Sequence, residues 1–251
     1  MQMLKNAMAD SKNVDQRRAT GGPLQPLLRA RPFTPGDGNM VQLLTDQQQA
    51  ELGTIATEVR LRARASIYTA GSVAASIYIV QTGLVKVSQY LSSGREQVLA
   101  FLFPGDMFGL AENGRYLNSV ATLTHTTIYR IPIDALTDMF RRDGDLELRF
   151  LYKVTHELRE AQRRETIVTR RDAVGRVVMF LQMLERRNGN NSACIEIPMS
   201  RTDVARYLGL SAEAVSRAIT QLRRDEIVSF PNLHVARILN RPRFDQIAVA
   251  M

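Results

Sequence analysis

The chain has 251 residues, 45% of them apolar, which is enough for one large domain or two ordinary ones and excludes disorder throughout. A formal net charge of +8 favours an anionic partner, either nucleic acid or an acidic membrane surface, although a soluble basic enzyme has the same balance. The only cysteine, Cys194, excludes an intramolecular disulfide, a four-cysteine iron–sulfur cluster and a zinc site of several thiolates. We therefore expect a cytoplasmic protein without a metal.

Residues 1 to 40 are rich in Gly, Pro, Asn and Gln, lack periodicity and end in the turn-forming run PFTPGDG, so they predict a mobile arm. The chain contains neither the apolar segment of a secretory signal nor eighteen consecutive apolar residues, and no membrane span is expected. Thr45 followed by Gln48 is the pattern of a capping box and predicts a short helix.

From residue 59 to 131, short runs typical of β-strands alternate with turn signals, which predicts an antiparallel roll or barrel. Glycines fall at the breaks between these runs, where they either end strands or let the backbone approach a ligand closely. They are Gly71, Gly83, Gly94 and Gly105.

Residues 144 to 170 predict a long helix in which one set of positions recurs at alternating steps of three and four, as in a coiled-coil seam. Two copies of the chain could pair along this stripe, or it could pack against its own domain, since one member is acidic. The seam residues are Leu151, Val154, Leu158, Ala161, Glu165 and Val168. A further apolar helix, AVGRVVMFLQML, ends at the turn RRNGNNSA, where a second domain is expected to begin.

Residues 200 to 224, SRTDVARYLGLSAEAVSRAITQLRR, have the pattern of a helix-turn-helix. Ser200 opens the first helix, Gly209 ends it, and Ser211 caps the second, whose buried side carries Val215 and Ile219. The run IVSFPNLHVARIL then predicts two short strands that turn at Pro231-Asn232, which makes the motif a winged variant in which His234 is structural.

In a helix-turn-helix, the first turns of the second helix enter the major groove, so Ala212, Glu213, Ser216 and Arg217 are predicted to face base edges. Glu213 can accept from cytosine N4, and Arg217 can donate to guanine O6 and N7. The alternative is an ordinary ion pair between these two side chains.

Phosphate contacts are predicted for Ser200, Arg201, Ser211, Arg223 and Arg224, with a solvated basic face as the alternative. Residues 173 to 251 hold eleven arginines and no lysine, and Arg suits guanine edges and phosphates.

These residues and the runs YIVQTGLVKV, GREQ, FPGDMFG and RTDVARYLGLSAEAVSR resemble the cyclic-AMP receptor protein and FNR family of bacterial transcription regulators over residues 45 to 245. The resemblance implies an α+β fold in which a β-roll resembling cyclic-nucleotide-binding domains (41–142) and a dimerisation helix (143–171) precede a winged helix-turn-helix (172–251). The Glu-x-x-Ser-Arg pattern of Glu213, Ser216 and Arg217 is similar to that of the FNR-type subgroup, which implies a palindrome of TTGAT half-sites. The segment GGPLQPLL and the helix-turn-helix are most similar to the FixK branch, regulators of low-oxygen respiration and nitrogen-fixation genes.

Two departures from the family bear on the ligand. Cyclic-AMP binders place an Arg-Ser pair on the phosphate and a Glu on the ribose, where this chain has Asn118-Ser119 and Leu110, so cyclic-nucleotide binding is not expected. FNR holds its cluster on four cysteines and this chain has one. Haem binding through His125 or His156 stays an alternative, although structural roles are favoured for both histidines. Cys194 is either a redox-sensitive thiol near DNA or an inert buried one.

The function predicted from the sequence is a homodimeric activator that binds double-stranded DNA, recruits RNA polymerase and uses no cofactor or small effector. The competing hypothesis is a sensor whose roll binds a nucleotide or haem and thereby controls DNA affinity. An enzyme is not expected, because no nucleophile and base pair, metal-ligand spacing or phosphate-binding loop is present.

Overall fold

The structure is a computed structural model that describes residues 14–18, 28–30, 41–187 and 194–249. It forms two compact units, the first from Met1–Gln89 and Leu99–Leu158 and the second from Tyr90–Val98 and Arg159–Met251. No helix in these described ranges is both long and apolar enough to cross a membrane.

Antiparallel strands form the β-roll, which contains one sheet of five strands and one of four. The first sheet has the order β1 (Val14–Arg18), β4 (Thr57–Leu61), β13 (Thr126–Pro132), β6 (Ser76–Thr82) and β9 (Met107–Phe108). The second has the order β5 (Ser66–Tyr68), β12 (Ser119–Thr122), β7 (Val85–Tyr90) and β8 (Glu96–Leu102). Two small pairs complete it, β2 (Arg29–Ala30) with β3 (Val41–Gln42) and β10 (Ala111–Glu112) with β11 (Arg115–Tyr116).

Alternating side chains on these strands close the core of the roll, as the period of two predicts. Val59, Val80, Val85 and Ile128 are buried together between the sheets. Gly83 begins the turn into β7 with a φ of 87°, and a Cβ there would collide with the His125 carbonyl, so the turn requires glycine.

The helices of the first unit are α1 (Asp46–Ile55), α2 (Ile133–Phe140) and the first half of α3 (Gly144–Thr169). Thr45 and Gln48 form the predicted capping box at the start of α1. Leu28 and Ala30 are fully buried in the same core as Leu52, and the Leu43 N–H donates to the Leu28 carbonyl at 2.8 Å. The segment predicted as a mobile arm is therefore fixed to the roll at residues 28–30, and at residues 14–18 through the pairing of β1 with β4.

The second unit contains α4 (Ala173–Arg187), α5 (Arg201–Leu208), α6 (Ala212–Arg224) and α7 (Arg241–Val249). Beside them lies a sheet of three strands in the order β14 (Ile195–Glu196), β16 (Val235–Ile238) and β15 (Val228–Asn232). The predicted α+β fold class, with a β-roll, a long helix and a winged helix-turn-helix, is confirmed.

Candidate nucleic-acid interface

A tight turn joins α5 to α6 and sets the angle between the two helices. The Ser200 hydroxyl caps α5 by accepting from the Asp203 N–H at 3.1 Å, and the Ser211 hydroxyl caps α6 by accepting from the Ala214 N–H at 3.1 Å. Between the helices, Gly209 has a φ of 64°, and its N–H donates to the Ala205 carbonyl. This left-handed C-cap ends α5 in the way that the sequence predicts.

The two sides of α6 differ sharply. Val215, Ala218, Ile219 and Leu222 are buried on one side, at most 7% exposed. The residues predicted to read bases, Ala212, Glu213, Ser216 and Arg217, are all exposed on the other side. The core stripe thus fixes which side of α6 faces outward, and this outward side is the candidate reading face.

The reading face carries two charged side chains, Glu213 and Arg217. Backbone and Ser211 hydrogen bonds, with a smaller contribution from Arg217, lower the pKa of Glu213, which therefore stays ionised at neutral pH as an acceptor. The charge of Arg217 is among the causes of this shift, so base contact and the alternative of a surface pair between the two side chains both stay predictions.

The five residues predicted to contact phosphates differ in what they touch. Ser200 donates to the Asp203 carboxylate at 2.6 Å, and Ser211 caps α6, so both hydroxyls already have partners. Arg224 forms an exposed ion pair with Asp225 at 3.3 Å.

The remaining two, Arg201 and Arg223, lie against one aromatic ring, that of Phe230 on β15. Sequence reasoning missed Phe230, because a strand pattern does not show which helices its side chains meet. A lone aromatic residue next to the turn of a predicted wing is the signal that could have found it.

The wing turn lies two residues later than predicted. Pro231 and Asn232 belong to β15, Asn232 pairs with Val235, and the turn itself is Leu233-His234. The Asn232 side chain accepts from the His234 N–H at 2.8 Å and forms a local turn that the strand pattern did not reveal. His234 also contacts the Ile197 carbonyl through Nδ1 at 3.1 Å, as expected for a structural residue.

Cys194 lies just before β14, partly exposed, and its Sγ accepts from Arg237 Nε at 3.1 Å. A redox role for this thiol stays a prediction. Within the described residues no group of three or more His, Cys, Asp or Glu is arranged to hold a metal ion.

The positions that would hold a cyclic nucleotide are poorly suited to one. Ser119 Oγ accepts from the Ala70 N–H at 3.0 Å, Leu110 is 52% exposed, and Asn118 carries no charge. Three residues before Ser119, Tyr116 is buried and stacks on Tyr68 with ring centroids 3.8 Å apart. His125 is exposed whereas His156 is buried in α3.

Four of the six predicted seam residues on α3 are open to solvent. Leu151 and Leu158 are 57% and 58% exposed, and Ala161 and Glu165 are also exposed. Val154 packs partly against the core of the first unit, as the alternative of packing within the chain predicts, and Val168 is half-buried.

We expect Gly209→Ala to destabilise the protein by about 1–2 kcal/mol, because an L-residue at this positive φ is strained. The added Cβ would meet only Arg176 at 3.6 Å, so the cost comes from the backbone conformation and not from a clash. Denaturant unfolding measures it. Gly144→Ala, with nothing within 4 Å of its Cβ, is the matched control and should leave stability unchanged or raise it; equal effects of the two variants would contradict the role of Gly209.

Two family models match the chain, "Cyclic nucleotide-binding domain" over residues 58–143 and "Crp-like helix-turn-helix domain" over residues 175–247. The chain is 33% identical to the nitrogen fixation regulation protein FixK of Azorhizobium caulinodans over 78% of this chain and 79% of the relative. It is 30% identical to the transcriptional activatory protein AadR of Rhodopseudomonas palustris over 80% of this chain and 84% of the relative.

Solved structures agree with these matches. The structure of FixK2 from Bradyrhizobium japonicum has a TM-score of 0.72 and 31% identity, and the match covers 78% of this chain and 99% of that one. The chain belongs to the cyclic-AMP receptor protein and FNR family of transcription regulators, binds DNA through its helix-turn-helix, and within that family resembles the FixK branch.

Proposed function

We propose that the protein acts as a homodimer that binds a palindrome of TTGAT-type half-sites, activates transcription by recruiting RNA polymerase, and needs no small effector. One observation carries the proposal. Glu213, Ser216 and Arg217 are exposed together near the start of a helix whose opposite side is buried, which is the part of a recognition helix that enters the major groove.

The chemistry of the reading face suits a short mixed sequence. Ionised Glu213 accepts from the exocyclic amine of cytosine, and the Arg217 fork donates to guanine O6 and N7. One G·C pair within an otherwise A·T-rich half-site offers both groups on a single base pair. Ser216 and the Ala212 methyl then face neighbouring bases, where the thymine methyl is the natural apolar partner.

The exposed stripe of α3 supports the homodimer. Leu151 and Leu158 are large apolar side chains two turns apart on one helix, and each is more than half exposed in the single chain. A second copy would cover them in the heptad geometry that the spacing predicts. Two recognition helices related by this symmetry would read a pseudo-palindrome.

The names of the relatives support activation and the genes involved. FixK of Azorhizobium caulinodans is a nitrogen fixation regulation protein, and AadR is a transcriptional activatory protein. Anr of Pseudomonas aeruginosa, 26% identical, is a transcriptional activator protein. We therefore infer that this chain activates nitrogen-fixation genes. The resemblance to the FixK branch extends this inference to low-oxygen respiration genes and to a regulator that is not an enzyme.

The residues of the roll do not fit a cyclic nucleotide. A phosphodiester would meet neutral Asn118 in place of an arginine, and the Ser119 hydroxyl is already bound to the backbone. The ribose would meet the exposed side chain of Leu110 and not a carboxylate. We infer that DNA binding needs no cyclic nucleotide.

Selection of bound sequences from random DNA, carried out with the purified apo protein and no added ligand, tests the whole proposal. We expect a palindromic TTGAT-type consensus, and an unchanged dissociation constant for that site after addition of cyclic AMP. A consensus that appears only with a nucleotide, or only with protein that shows a haem absorption band, would instead favour the sensor hypothesis. Binding without any sequence preference would contradict both.

A further inference from the structure

Two arginines that are far apart in the sequence share one aromatic ring. The guanidinium carbons of Arg201, at the start of α5, and Arg223, in the last turn of α6, each lie 5.8 Å from the centre of the Phe230 ring on β15. This is within the range of cation–π attraction. The two charges are consequently no more than about 12 Å apart, and the ring between them belongs to the wing.

The pair is uncompensated. Among the residues that the structure describes, neither guanidinium has a carboxylate partner, in contrast to Arg224, which pairs with Asp225. Burial and the nearby charge of Arg223 both lower the pKa of Arg201, as expected when two like charges are held close together. An arrangement of this kind is stabilised when an anion joins it.

The position of the pair indicates which anion. Arg223 lies seven residues, or two helical turns, after Ser216 and thus on the same side of α6 as the reading face. The first helix of a helix-turn-helix crosses the DNA backbone, and Arg201 is its first residue. Phe230 is only 7% exposed, whereas Arg201 is half-buried and Arg223 is exposed, so the ring lies on the protein side of the two cations and solvent reaches them from outside.

We propose that Phe230 holds Arg201 and Arg223 as a two-arginine clamp on one DNA phosphate, or on two neighbouring phosphates of one strand. This rests on the proposed function of α6 as the reading helix. The clamp fixes where the DNA backbone runs across the motif. Phe230 is a positioning residue in this arrangement, since it acts through the two arginines.

Methylphosphonate scanning of the selected duplex tests the clamp directly, because each replacement removes the charge of one chosen phosphate. For the wild-type protein we expect that the positions at which neutralisation weakens binding include, in each half-site, one or two adjacent phosphates bound by the clamp. In the double variant Arg201→Gln/Arg223→Gln, replacement of these phosphates should have no further effect. An identical scan for both proteins would overturn the proposal.

The role of the ring is tested with fluorinated phenylalanines at position 230, which keep the shape of the ring while weakening its attraction for cations. Because the cation–π contribution is modest, trifluorophenylalanine should weaken binding about two- to fivefold. The loss should be the same on the selected site and on a random-sequence duplex, since phosphate contacts carry no sequence information. Phe230→Leu is less informative, because Phe230 also lines the apolar space between α4, α5 and α6, and this change would lower stability.

Phe244 provides a matched control within the same unit. Its buried ring also lies beneath an arginine, with Arg241 at 5.9 Å, but Arg241 is bound to the carboxylates of Glu185 and Asp245. Fluorination of Phe244 should leave DNA affinity unchanged. An equal loss at both rings, or no loss at Phe230, would overturn the clamp. The fluorinated variants are also measured on random-sequence DNA, so their results can be interpreted even if the selection finds no consensus. A selection without a consensus would overturn the proposed function and would not by itself overturn the clamp.

Discussion

Replacement of Arg217 by alanine should lower the affinity for the selected site by about 1–3 kcal/mol, or about 5- to 150-fold, while binding to random-sequence DNA changes little. The reason is that a bidentate arginine contact to guanine carries sequence information, whereas nonspecific binding depends on phosphate charge. The side chain is exposed and has no part in the buried side of α6, so stability should be unaffected. Anisotropy titrations at one salt concentration on the two duplexes measure the ratio.

Arg243→Ala removes the same charge from another exposed position of the same unit and serves as the control. It should change both affinities by the same small factor. A second selection with the Arg217→Ala protein should show relaxed preference at one position of each half-site. If that consensus is the same as for the wild type, Arg217 does not read a base.

The helix-turn-helix could be predicted from the sequence because local chemistry determines it. Ser200 and Ser211 cap the helices, Gly209 supplies the left-handed residue, and the apolar spacing fixes which side of α6 is buried. Each of these signals acts within a few residues of the chain, and no tertiary contact is needed to interpret it. The reading face then follows by elimination.

Contacts between distant residues could not be predicted in this way. Lys153 is completely buried in α3, where its Nζ donates to the Arg29 carbonyl at 2.8 Å and pairs with Glu157 at 2.8 Å. A periodicity argument places a lysine on the surface, because an unpaired buried ammonium is costly. The sequence does not show that the Arg29 carbonyl, 124 positions away, is its partner.

The dimer seam could be predicted from the sequence only in part. The spacing of three and four residues identifies a stripe on α3. Which side chains of the stripe stay exposed depends on how the β-roll packs against the helix. Val154 is partly used by the core of the first unit, whereas Leu151 and Leu158 are not covered within the single chain. Only the structure separates them, and the two exposed leucines are where the proposed dimer can be tested.

Leu158→Glu, alone or with Leu151→Glu, should convert the protein to monomers and lower its affinity for the full palindrome by about 10²- to 10⁴-fold. Both side chains are more than half exposed in the single chain, so the glutamates should leave the folded monomer within about 0.5 kcal/mol of the wild type. In a dimer, however, the same carboxylates would be buried against a partner without a counter-charge. The affinity falls because linkage of the two half-site contacts is lost. Analytical ultracentrifugation and titrations on full and half sites measure both effects.

Arg163→Ala gives the matched control, since it shifts the net charge by the same amount. Arg163 lies five residues beyond Leu158, on roughly the opposite side of α3, where it pairs with Glu160. This variant should remain dimeric and bind the palindrome like the wild type, because a surface ion pair contributes little. Half-site affinity should be the same in all of these proteins, since each monomer retains its reading face. A Leu158→Glu protein that is still dimeric and binds the palindrome fully would place the dimer interface elsewhere, and the symmetry of the target would then need another origin.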